Sequence, residues 1–193
     1  MSVETILKEF LNEPDSLPYM IHESAFIEPS VITFSQDVRD ACEANLFGMY
    51  GKCWSCPPGV GKWQELRDHY KSYGHAFVFT TKHELEDSFD IEGMTEGRAE
   101  HNCTERAIEA ALKKQDEKFE ICGAEGSSLC EKCTYPSSLC RHPDLMHHSM
   151  EATGMNVVKL ASDAGIHYMN GVNTVTYFFG YILVKQNLLR RCC

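Results

Sequence analysis

A chain of 193 residues, 43% of them hydrophobic, carries enough apolar material for one sizeable domain with its own core. Its formal net charge of −10, with no basic cluster longer than Lys113-Lys114 or Arg190-Arg191, argues against unaided binding to nucleic acid or to an anionic membrane, because both demand a positive face. The most apolar stretch, residues 172–184, is too short to span a bilayer, and the N-terminal residues lack the basic start and long apolar run of a secretory leader, so a cytoplasmic protein is expected.

Residues 3–11 predict a short amphipathic helix, since Val3, Ile6, Leu7 and Phe10 recur at helical spacing and Pro14 follows. Residues 31–34 predict a short strand. Ser35 or Asp37 then caps a helix running to about Ala44. Residues 45–62, with four glycines and the Pro57-Pro58 pair, predict a loop. A helix over 63–73 and an aromatic, β-branched strand over 75–81 come next. A long helix is expected over 91–118, its apolar stripe formed by Ala99, Cys103, Ala107 and Ala111 with Ile108 and Leu112 beside it, followed by a strand over 119–123. Residues 123–148 form a second irregular segment, long enough to need an organiser such as a metal. A helix over 150–164, broken at Gly154, and a strand over 174–184 with a bulge at Gly180 complete the chain. The pattern predicts one α+β domain over residues 1–193: a single mixed sheet with flanking helices and two irregular cysteine loops, at 42–61 and 122–143.

The ten cysteines dominate the chemistry. In a reduced compartment disulfides do not persist, so clustered cysteines point to metal or redox chemistry. The first loop offers Cys42, Cys53 and Cys56. Cys53-x-x-Cys56 turns two sulfurs toward one centre, and Pro57 follows directly, as in many cluster motifs. The second loop offers Cys122, Cys130, Cys133 and Cys140 in the spacing C-x7-C-x2-C-x6-C, with Pro136 and Pro143 stiffening its turns. All-thiolate sites suit both zinc and iron–sulfur. Two C-x-x-C pairs separated by a strand and a long helix, each with further cysteines nearby, favour two iron–sulfur clusters, with zinc as the alternative. Cys103 is expected to pack in the core, and Cys192-Cys193 to form an incidental tail. His142, His147 and His148 flank the second loop, His142 being the best placed to ligate. Arg141 is a candidate hydrogen-bond donor to a cluster or an anion, and Trp54 a candidate shield from water. Tyr168, Asn170 and Asn173 either line a pocket or cap and turn the chain.

The stretches CEAN…GMYGKCWSCPPGVG (42–61), GAEGSSLCEKCTYPSSLCRHPDLMHHSMEATGMNV (123–157) and HYMNGVNTVTYF (167–178) resemble the predicted metal-binding proteins called domain of unknown function 2284. The resemblance implies iron–sulfur binding in anaerobic metabolism, with Cys42, Cys56, Cys130, Cys133 and Cys140 matching family cysteines. Phe47 and Ser127 stand where that family carries further cysteines, and Cys53 and Cys122 are offered instead. A centre held by three cysteines would leave one iron open.

Three functions follow: an electron-transfer or accessory protein with one or two [4Fe–4S] clusters and a redox partner protein; an enzyme using an open cluster iron for Lewis-acid or sulfur-transfer chemistry; and a zinc-stabilised interaction module. A homodimer is compatible with each.

Overall fold

Strand β2 (His75–Glu84) organises the molecule because both of its faces are buried. The computed structural model describes residues 1–115 and 118–184, and of residues 179–184 the backbone alone; Cys192 and Cys193 lie outside the described residues. Ala76 and Val78 enter one core with Tyr70, Tyr73, Met155, Leu160 and Cys122. Phe77 and Phe79 enter a second with Ile6, Leu7, Ile108 and Leu112. Successive side chains of a strand point to opposite faces, so a strand buried on both sides needs an unbroken apolar run, and residues 76–79 supply one.

Strands β1 (Glu23–Ile27), β3 (Phe119–Gly123), β4 (His148–Ser149) and β5 (Thr174–Val184) complete a sheet in the order β1-β2-β5-β3-β4. The α+β class is as expected, but the single mixed sheet anticipated is not what forms: antiparallel pairing runs through β1, β2, β5 and β3, and parallel pairing is set apart at β3/β4. β1/β2, β2/β5 and β5/β3 all pair antiparallel. Parallel pairing is confined to a two-residue unit, Cys122 opposite His148 and Gly123 opposite Ser149. Parallel neighbours need a long crossover, and the second cysteine segment, residues 124–147, is the one connection that supplies it here. Phe77 lies opposite Ile182 while Phe79 lies opposite Phe179, so β5 carries an extra residue at this point and Gly180 falls within the bulge.

Helices α1 (Val3–Asn12) and α4 (Ile91–Leu112) cover one face of the sheet, and α3 (Trp63–Lys71) and α5 (Val157–Ala164) the other. Helix α2 (Gln36–Glu43) is capped by Ser35 as expected. Residues 31–34 are not a strand: a 3-10 turn (Pro29–Val31) is followed by a lone bridge between Phe34 and Met155. The break expected at Gly154 is present, a 3-10 turn (Glu151–Thr153) ending there in the left-handed region at φ 85°. No helix among the described residues is long and apolar enough to cross a membrane.

The core face of α4 differs from the expected stripe. Cys103 is exposed, whereas Gly97, His101, Thr104, Ile108 and Leu112 are buried. Polar side chains occupy this face because partners await them. His101 Nδ1 lies 2.6 Å from Thr81 Oγ1, and Thr104 Oγ1 donates to Tyr19 O at 2.7 Å while accepting from Tyr19 N at 3.0 Å. At Gly97 a Cβ would lie 2.7 Å from His83 Cγ, so only glycine admits that ring.

Burial, with the neighbouring His83 adding to it, lowers the His101 pKa to about 3 from 6.5. The unfolded chain therefore takes up this proton below pH 6.5 while the folded chain refuses it until about pH 3, and folding weakens as pH falls through that window. Urea unfolding of His101→Gln is expected to show an acid limb shallower than the parent's by about 1.4 kcal/mol per pH unit. Parallel limbs would mean that His101 is protonated in the folded protein.

Candidate metal centre

The first cysteine loop is built outward from α2. Cys42 lies in the last turn of that helix, and Arg39 one turn earlier ties the helix to the loop's far end by donating to Gly61 O at 2.8 Å. Within the loop, Cys53 Sγ is 3.3 Å from Ser55 Oγ, and both cysteine 53 and cysteine 56 are buried against Val60 and Ala152. A hydrogen bond from the Cys56 thiol, aided by Ser55, lowers Cys53 to about 6, and the same bond with burial pushes Cys56 upward. Burial and the nearby Glu151 raise Cys42 to about 11. Cys42 and Cys56 line one cavity of about 70 Å³, together with Phe47, Met49 and Glu151.

The second loop gathers Cys130, Cys133 and Cys140 around another small cavity, which Ser127, Trp54 and His142 also line. Local hydrogen bonds shape it. Thr134 Oγ1 donates to Leu139 O at 2.8 Å, Arg141 Nη1 to Lys132 O at 3.0 Å, and the His142 amide to Cys140 Sγ at 3.4 Å. A backbone amide aimed at sulfur is the arrangement that stabilises a thiolate.

The two loops, expected to stand apart, meet at one corner of the molecule. The Ser127 amide donates to the buried Ser55 hydroxyl at 2.7 Å, and Trp54 Nε1 donates to Ser138 O at 3.1 Å. The Trp54 ring meets Tyr135 edge-on, with centroids 4.9 Å apart. Gly126 lies against the first loop's sulfurs: a Cβ there would stand 3.0 Å from Cys53 Sγ, 3.3 Å from Cys56 Sγ and 2.6 Å from Met49 Cε. Trp54 thus belongs to the first loop by sequence and lines the cavity of Cys130, Cys133 and Cys140 in space.

Donor chemistry and spacing bear on what fits. A tetrahedral zinc ion with Zn–S of about 2.3 Å draws its sulfurs to within about 3.8 Å of one another. Among the described residues, no three His, Cys, Asp or Glu side chains are gathered for a single ion. Cys130, Cys133 and Cys140 line a cavity of about 20 Å³, and an all-thiolate donor set suits zinc and iron–sulfur alike. Ser127, Cys130 and Cys133 follow one another at the x2 intervals of a cluster motif, with serine in the first place. Phe47 lines the first cavity and Ser127 the second.

Other sequence candidates lie elsewhere. Cys122 is 0% exposed on β3, packed in the core, and burial raises its thiol to about 12 despite a hydrogen bond with Tyr70. His148 Nδ1 is 2.8 Å from Tyr70 Oη, inside the fold. His147 sits between Glu105 and Glu109 of α4. Of the three histidines only His142 stays with the cysteines. Tyr168 stacks on Phe178, Asn170 donates to Thr176 Oγ1 at 2.9 Å, and Asn173 turns the chain at φ 56°, which are structural roles. Sequence reasoning missed Ser55, Gly126 and the acidic pair Glu105 and Glu109. The pair was visible as carboxylates four residues apart on a helix, but a search for an apolar stripe passes over it.

A model of the family described as predicted metal-binding protein (DUF2284) matches residues 25–184, a span that contains both cysteine loops. No curated protein and no solved structure matches the chain.

Proposed function

The chain belongs to the DUF2284 family of predicted metal-binding proteins, and from that premise we propose that its two cysteine loops hold iron–sulfur. Cys130, Cys133 and Cys140 would hold a [4Fe–4S] cluster, and Cys42, Cys53 and Cys56 a second centre. The observation that carries this reading is the gathering of Cys130, Cys133 and Cys140 with Ser127 around one small cavity, at the x2 spacing of a cluster motif. Such clusters supply reversible one-electron chemistry.

The chain's own residues suit that role. Trp54 lines the second cavity, and the His142 amide stabilises charge on Cys140. The two loops meet at one corner of the molecule, which would set two centres side by side and suits electron transfer or an accessory redox role in anaerobic metabolism, with a redox partner protein as the counterpart. The zinc-stabilised interaction module is the competing reading.

Anaerobic purification followed by iron, zinc and acid-labile sulfide analysis tests this proposal. Brown protein with iron and sulfide in equal amounts, and a broad visible band, is expected. Colourless protein with stoichiometric zinc would overturn it.

A further inference from the structure

The carboxyl group of Glu151 lacks a counter-charge. It lies in the 3-10 turn Glu151–Thr153, partly buried, and lines the cavity of about 70 Å³ that Cys42 and Cys56 also line. Ser149 Oγ donates to its Oε2 at 2.9 Å. No Lys, Arg or His among the described residues pairs with it, and the Glu125 carboxylate adds a charge of the same sign. Arg39, whose charge reaches Cys42, gives its three guanidinium nitrogens to Gly61, Ala152 and Glu43, and none to Glu151. A carboxylate drawn out of water is as a rule paired with a cation or bound to a metal. Glu151 shares its cavity with two thiols, which become anionic donors once a metal displaces their protons.

The backbone on both sides of Glu151 is fastened to the segments that carry those thiols. The Ser149 amide donates to Ser55 O at 3.3 Å, inside the Cys53-x-x-Cys56 turn. The Ala152 carbonyl accepts from Arg39 Nη1 at 2.7 Å, one helical turn before Cys42 on α2. The carboxyl is therefore placed by contacts to the same two segments that carry Cys42 and Cys56. Ser149 lines the cavity as well and holds one carboxyl oxygen, as the outer partner of a ligating group does. Phe47 stands on the same cavity and offers no donor atom.

We propose that Glu151 is an oxygen ligand of the first metal centre, completing with Cys42, Cys53 and Cys56 a mixed thiolate–carboxylate shell. The assignment rests on the reading that the first cysteine loop holds metal. It is indifferent to which metal, because zinc accepts carboxylate oxygen beside thiolate and cluster iron accepts ligands other than cysteine. In this structure Cys42, Cys56 and Glu151 stand around the cavity without converging on one point.

Cadmium, a soft thiolate-binding probe loaded into the metal-free full chain, tests the assignment by its own nuclear magnetic resonance. Cys56→Ser identifies the first-centre resonance by removing it. In Glu151→Gln that resonance should move, and EDTA should strip its metal about tenfold faster or more. In Glu151→Cys it should move toward sulfur-rich coordination. Glu125→Gln removes a nearby negative charge without taking a donor from the cavity, so it should leave resonance and release rate at the parent's values. If Glu151→Gln, folded by circular dichroism, keeps both values, or if Glu125→Gln reproduces its effect, the assignment is wrong. Should Glu151→Gln not fold, an unmoved resonance in Glu151→Cys overturns the assignment equally. The two readings fail separately: if Cys56→Ser removes no resonance, the first loop is not a metal centre, whereas a first-centre resonance that ignores Glu151 excludes only this ligand.

Discussion

Arg39→Ala is expected to lower the stability of the protein by about 3–5 kcal/mol and its melting midpoint by roughly 10 °C. Arg39 is 5% exposed, and each of its three guanidinium nitrogens donates a hydrogen bond. It donates to Ala152 O at 2.7 Å, to Gly61 O at 2.8 Å and to Glu43 Oε1 at 2.9 Å. A hydrogen bond from a charged donor contributes about 1.5–3 kcal/mol, and the Ala152 carbonyl, on a residue 0% exposed, is left buried without its donor. The effect is not local. Gly61 ends the first cysteine loop, Ala152 belongs to the 3-10 turn packed against Cys53 and Cys56, and Cys42 shares α2 with Arg39. One side chain therefore ties together the three segments that frame the first centre. Arg39→Lys keeps the charge, but a single ammonium does not reproduce a planar fork and should recover less than half of the loss. Urea unfolding of both variants measures this. A loss below about 1 kcal/mol for Arg39→Ala would show that the carbonyls find other donors.

Arg39 also illustrates where the sequence stops being readable. Its helix was legible from Ser35 and the apolar spacing, yet its acceptors lie 22 and 113 residues away and nothing local announces them. The same holds for the meeting of the two cysteine loops, which rests on an amide and a hydroxyl 72 residues apart. What depends on local spacing was legible: β2, β5 with its bulge at Gly180, the break at Gly154, and the grouping of Cys130, Cys133 and Cys140. What depends on packing was not. The N-terminal part of the buried face of α4 is set by Thr81, His83 and Tyr19, so a pattern of apolar residues found Ile108 and Leu112, and Ala107 and Ala111 packed beside them, but missed His101 and Thr104 and placed Cys103 in a core that it does not enter. β1 escaped notice because its residues are only partly covered and it borrows its register from β2. The short parallel pair at β3 and β4 depends on a loop whose path no periodicity describes.

The ligand assignment carries the other large expected effect. If the two loops hold separate centres, Cys133→Ser should remove about half of the bound metal and Cys56→Ser the other half, because a serine oxygen is a poor substitute for a thiolate at a soft metal. Cys122→Ser is the informative control. Its sulfur lies in the core, so this change should leave metal content intact and instead lower stability by about 1–2 kcal/mol for the buried hydroxyl. Loss of metal in Cys122→Ser, in protein that still folds, would return that residue to the ligand set. Ser127→Cys runs in the opposite direction. The residue lines the cavity of Cys130, Cys133 and Cys140 and completes their spacing, so a thiol there should close the second centre and slow the release of metal to a chelator. The change should act on that centre alone, because the first centre's corresponding place is held by Phe47 on the far side of Gly126. Release as fast as in the parent would mean that the serine position is not a ligand position.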